Sequence, residues 1–143
     1  MTEKKGLIPS NYIQVVETIE NWQQAVWQAS QPLLNDHRIT TTYVDQMIES
    51  VQQNGPYMVL QDYFALMHAR PGLGVIQQAI SLLVSREPVD LEGKAVKIFL
   101  VLAAEDNFKH LQSLQAIMAI FMNPDNFELV LNGNKQSIIA LFN

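Results

Sequence analysis

Apolar residues return along this chain at two spacings, every second position and every third or fourth, and the switches between them mark out the elements. Ile13, Val15 and Val16 in "YIQVVETIE" predict a short strand. Asn21 can then cap a helix on which Trp22, Ala25, Val26 and Ala29 share a face, and Pro32 is expected to end or bend it. After "NDHRI", Thr40 or Thr41 can cap a second helix that turns Tyr43, Met47, Ile48 and Val51 inward, closed by Asn54-Gly55-Pro56.

Three stretches rich in aliphatic and β-branched residues follow, "YMVLQDYFALMH", "VIQQAISLLVS" and "AVKIFLVLAAE", separated by "ARPGLG" and "REPVDLEGK". Each is predicted to be a strand. Residues 98–104 are apolar almost without alternation, which suits a central strand covered on both faces. In "FKHLQSLQAIMAIFMN", Phe108, Leu111, Leu114, Ile117, Met118 and Phe121 recur at helical spacing; Asp106 or Asn107 can cap this helix and Pro124 stops it. A short element over 127–131 and a last helix over 135–142 complete the chain. The expected fold is α/β: one layered domain over 1–143, with residues 1–10 a loose lead-in and a mixed parallel/antiparallel sheet of about four to five strands flanked by helices. The last two strands are joined by a connection short enough for antiparallel pairing.

Composition narrows the function. Net charge is −5 with no dense cluster of lysine or arginine, which argues against nucleic acid as a partner. Apolar residues make up 48% of the chain, yet no run reaches the length of a membrane span and no charged-then-apolar stretch opens it, so a cytoplasmic protein without a secretory signal or membrane insertion is expected. Cysteine is absent, which removes disulfides, thiolate metal sites and a cysteine nucleophile together. GxxxxGK[ST], GxGxxG, GxSxG and HExxH are also absent.

Three histidines remain as candidates for chemistry near neutral pH. His37, in the polar "NDHR" loop, reads as solvated. His68, in "ALMHARPG", stands at a predicted strand end, where it is either a structural residue or a reactive group presented to an opening. His110 falls on the first turn of the capped helix, one residue before Leu111. Two imidazoles beside a helix N-terminus suit a phosphoryl group: one nitrogen attacks while the second ring and free backbone amides stabilise the charge. Metal binding competes less well, because a stable zinc site takes three or four protein ligands and only Asp62, Glu105 and Asp106 are near in sequence.

"NWQQAV", "PLLNDHRITTTYVDQMI", "GPYMVL", "ALMHARPG" and "VLAAEDNFKHLQSLQ", in this order, resemble the phosphotransferase-system (PTS) enzyme IIA domains of the mannitol/fructose superfamily. "GPY" followed by "HARP" is most similar to the ascorbate-type branch. The resemblance implies that His68 is the phosphorylated histidine and that His110 stabilises the phosphoryl group. Asp62 falls where some members carry an acidic residue near the active centre, and Arg70 is a candidate for holding phosphoryl oxygens or a partner. It further implies transfer from phospho-HPr to His68 and on to a cysteine of an enzyme IIB, serving a membrane enzyme IIC without any cofactor. Uptake of ascorbate or a related sugar would follow. Met67 stands where the family usually has proline, and Tyr63 where it often has glycine. An enzyme IIA-like regulatory or interaction module with reduced or lost phosphotransfer is the alternative.

Overall fold

The computed structural model describes residues 7–143. A five-stranded sheet runs in the order β1-β4-β5-β3-β2. The strands are β1 (Ile13–Val16), β2 (Val59–Gln61), β3 (Tyr63–Met67), β4 (Ala79–Leu91) and β5 (Lys94–Ala103). β1 pairs parallel with β4 and β3 with β5, while β4/β5 and β2/β3 are antiparallel, so the sheet is mixed as expected. Among the described residues five α-helices flank it: α1 (Trp22–Asn35), α2 (Thr41–Asn54), α3 (Asn107–Phe121), α4 (Pro124–Asn132) and α5 (Lys135–Phe142).

The register sets which side chains meet which layer. Phe64 lies beside Ile98 and Ile98 beside Val84, so these three share one face. On it Phe64 stacks on Phe121 of α3 with centroids 4.4 Å apart. Ser81 is three residues from Val84 and so faces the other way, and it donates to the Ala29 carbonyl of α1 over 2.6 Å. β5 is thereby covered on both sides, and residues 98–103 are fully buried.

Local chemistry explains where the chain departs from its hydrophobic pattern. Pro32 lies inside α1 instead of ending it. Proline leaves the carbonyl four residues earlier without its helical donor, and Gln14 of β1 supplies one, its Nε2 donating to the Gln28 carbonyl over 2.7 Å. "YMVLQDYFALMH" is a hairpin of β2 and β3, reversed at Asp62, with Tyr63 in the left-handed region at φ 73°. The expectation of glycine at this position acquires a reason: a Cβ is unfavourable at that φ. The third predicted strand starts only at Ala79, because the amides of Ile76 and Gln77 are taken by the Arg38 carbonyl. It then runs on through "REPVDL", where a bulge between Val84 and Val89 takes up Pro88 and restores inward positions at Val89 and Leu91. The loose lead-in expected over 1–10 lies partly outside the described residues. From Leu7 onward it is anchored: Ile8 is fully buried, and its carbonyl accepts from Asn143 over 3.0 Å. The N-terminal half of α3 also differs, since Phe108 and Leu111 face outward and only Ile117, Ile120 and Phe121 of that helix are buried.

Candidate functional site

β3 and β5 are neighbours and parallel, so their C-terminal ends lie side by side, the place where open α/β sheets present binding groups. His68 is the first residue beyond β3. Beyond β5 the chain turns through residues 104–106 into α3, whose N-cap Asp106 accepts from the Lys109 amide over 2.8 Å and which carries His110 on its first turn. The two rings therefore meet, with centroids 5.6 Å apart and planes inclined by 49°.

The His68 ring is held by its own strand: Nδ1 lies 2.9 Å from the Leu66 carbonyl oxygen. A carbonyl only accepts, so Nδ1 carries the proton and, in the neutral ring, Nε2 carries the lone pair. Tyr57 stands edge-on to the same ring, centroids 6.3 Å apart at 84°, with its hydroxyl 2.8 Å from the Ser50 hydroxyl. His110 is half-buried, and its Nδ1 has no hydrogen-bond partner among the described residues. Burial first, and the neighbouring His68 charge second, hold its pKa below the ordinary histidine value of 6.5. The shift favours the neutral imidazole in the free site.

Both rings line a cavity of about 460 Å³, walled on one side by Gln46, Glu49, Ser50 and Gln53 of α2 and on the other by residues 69–71 and Leu73. Arg70 is exposed at its rim and makes no ion pair with the described residues, so its guanidinium is available there. Asp62 lies elsewhere. It forms the β2–β3 turn, and the whole length of β3 separates it from His68, so the structure does not bring it to the histidines. His37 is exposed, at φ 56°, on the α1–α2 connection.

Supports that the sequence reading missed hold the site's two edges. Gln78 accepts from the Glu105 amide (3.2 Å) and donates its own amide to the Glu105 carboxylate (3.1 Å), which also binds Lys109 at 2.6 Å. Lys109 first, and Gln78 second, keep the Glu105 carboxyl below the usual range. The i,i+4 spacing of Glu105 and Lys109 was the available signal. These ties fix the start of α3 to the loop that precedes β4. With Glu105 engaged and Asp106 capping, no group of three or more His, Cys, Asp or Glu among the described residues is arranged to hold a metal.

The chain matches the family model of the phosphoenolpyruvate-dependent sugar phosphotransferase system, EIIA 2, over residues 6–143. It is 27% identical over 134 residues to the mannitol-specific cryptic phosphotransferase enzyme IIA component of Escherichia coli K12, covering 92% of this chain and 91% of the relative. To the ascorbate-specific PTS system EIIA component of the same organism it is 26% identical over 132 residues, covering 90% and 86%. The solution structure of the mannitol-specific cryptic enzyme IIA CmtB from Escherichia coli superposes with a TM-score of 0.92, at 24% identity, over 99% of this chain and 98% of that one. The Escherichia coli complex of enzyme IIAMTL with phosphorylated enzyme IIBMTL shares the fold, with a TM-score of 0.79 at 15% identity over 94% and 96%. This chain belongs to the EIIA 2 family of the sugar phosphotransferase system.

Proposed function

We propose that this protein is a phosphocarrier that takes a phosphoryl group from phospho-HPr onto Nε2 of His68 and passes it to a cysteine of an enzyme IIB partner. The observation that carries this reading is the bond from His68 Nδ1 to the Leu66 carbonyl, which favours a proton on Nδ1 and supports Nε2 as the attacking nitrogen. The Nε2 lone pair forms the new N–P bond as the donor histidine's N–P bond breaks. In the second step the cysteine thiolate of IIB displaces Nε2. Such a transfer needs in-line positioning and charge stabilisation more than covalent help from the protein. His110, whose neutral form is favoured in the free site, offers an N–H to the arriving phosphoryl oxygens, and their negative charge in turn favours its protonation. Arg70 at the cavity rim adds a fixed positive charge.

Around this site Leu73, Ile76, Phe108 and Leu111 are exposed, and Phe108 is 73% accessible. An apolar rim of this kind suits HPr and IIB docking in turn on the same face. No described helix is long and apolar enough to cross a membrane, and on this reading the protein works in the cytoplasm, reaching a membrane enzyme IIC only through IIB. Ascorbate or a related sugar is the transported substrate, supported by the relative named for ascorbate and by the "GPY…HARP" spacing. The chemistry needs no cofactor. Incubation with labelled phosphoenolpyruvate, enzyme I and HPr tests the reading: acid-labile label on the folded wild type supports it, and none, with a known IIA labelled in parallel, refutes it.

A further inference from the structure

We propose that Tyr43 is a positioning residue for His68: its hydroxyl is inserted into the last backbone hydrogen bond between β3 and β5 and so fixes where the strand end presents the imidazole. The assignment rests on His68 being the phosphoryl acceptor.

Leu66 donates its amide to Met58 over 2.9 Å, on the β2 side of β3. Backbone groups alternate sides along a strand, so the amides of Ala65, Met67 and, one step past the strand, Ala69 face β5. Met67 is paired with Val101, which puts Ala69 opposite Ala103. In a parallel ladder an amide bonds the carbonyl just before its opposite residue, so the partner of the Ala69 amide in this register is the Leu102 carbonyl.

A side chain occupies that place instead. The Ala69 amide donates to the Tyr43 hydroxyl over 3.1 Å, and the hydroxyl donates to the Leu102 carbonyl over 2.6 Å. Two hydrogen bonds in series span more than the single bond of about 2.9 Å that a ladder would close, so the strands part just beyond Met67. His68 sits at that parting, folded back onto the Leu66 carbonyl. Tyr43 is fully buried near the start of α2, and Gly74 packs against it so closely that an added Cβ would lie 2.9 Å from the Tyr43 backbone nitrogen. Burial pushes the hydroxyl up to about 12, so it remains a protonated donor across the working pH range.

Tyr43→Phe removes the inserted oxygen and keeps the ring. The Ala69 amide and Leu102 carbonyl must then close directly, drawing His68 toward β5, or stay unpaired in a buried place. The experiment compares wild type and Tyr43→Phe by the ring 15N shifts of His68, by hydrogen exchange at Ala69, and by the initial rate of phosphoryl uptake from phospho-HPr. The expected result is altered His68 ring shifts with uptake slowed about tenfold or more, as for a small misplacement of a reacting group. A less stable variant with unchanged His68 shifts and unchanged uptake overturns the proposal, leaving Tyr43 a core residue only. If the variant fails to fold, the wild type decides. Ala69 protected to the level of Met67 supports the insertion, and exchange at the unprotected rate refutes it. A wild type that takes no label removes the role of His68, while ring shifts and exchange still report on Tyr43, so the two ideas fail separately.

Discussion

The imidazoles of His68 and His110 face each other at a centroid distance of 5.6 Å because each follows the C-terminal end of one of two adjacent parallel strands, β3 and β5. His68 is fixed by a carbonyl of its own strand; His110 is fixed by the helix it rides on and has no partner for Nδ1 among the described residues. On the proposed function this asymmetry matches the two roles, His68 as the acceptor and His110 as the ring that responds to the phosphoryl charge.

Exchange of either ring should separate these roles. His68→Ala is expected to abolish phosphoryl uptake, and His110→Ala to slow it about 10²-fold, the scale of losing one preorganised donor. Both side chains are only half-buried, so both variants should keep wild-type circular dichroism. Equal loss of folded protein in the two would mark the rings as core residues.

The His110 pKa gives a pH dependence. Its folded value lies below the unfolded 6.5, so between the two the unfolded chain binds the extra proton. Stability from this group is complete above about pH 6.5 and declines as pH falls toward the folded value. Urea unfolding across that window should show the slope in wild type and not in His110→Gln. Because the His68 charge is the smaller cause and burial the larger, His68→Ala should raise the His110 pKa without restoring it fully, as read from its ring-proton shifts.

Phe108, 73% accessible and two residues from His110, contributes little to the core and is well placed to contribute to docking. Phe108→Ala should leave Tm unchanged and raise the KM for phospho-HPr about fivefold to thirtyfold, the equivalent of 1–2 kcal/mol. An unchanged KM would remove Phe108 from the docking surface.

The β4–β5 hairpin turns through Glu92 and Gly93, both at positive φ, 51° and 99°. Asparagine is the favoured first residue of such a turn, where glutamate is strained. Glu92→Asn should stabilise the fold by about 1 kcal/mol, seen as a higher urea midpoint at unchanged m-value.

Much of this architecture was legible in the sequence, because periodicity and capping residues agree: Asn21 and Asp106 cap α1 and α3 with their side chains. The places of His68 and His110, at a strand end and a helix start, were also legible, and the structure brings the two rings together at one cavity. The misses share a cause, long-range partners that a local pattern does not carry. Pro32 stays helical because Gln14 supplies the missing donor, and "REPVDL" is a strand because a bulge absorbs Pro88. Phe108 and Leu111 have helical spacing and no layer to cover them, while Asp62 is near His68 in sequence but a full strand length away in space. Tyr43 counted as one more inward residue of α2, since nothing in its neighbourhood shows that its hydroxyl meets the end of β3.

The most direct measurement is 31P–15N correlation on the ring-labelled protein after phosphorylation through enzyme I and HPr, which identifies the nitrogen that carries the phosphoryl group. A single phosphorylated nitrogen, Nε2 of His68, is expected, with Nδ1 still protonated on the Leu66 carbonyl. A phosphoryl group on Nδ1, on His110, or on no nitrogen of a folded protein would contradict it.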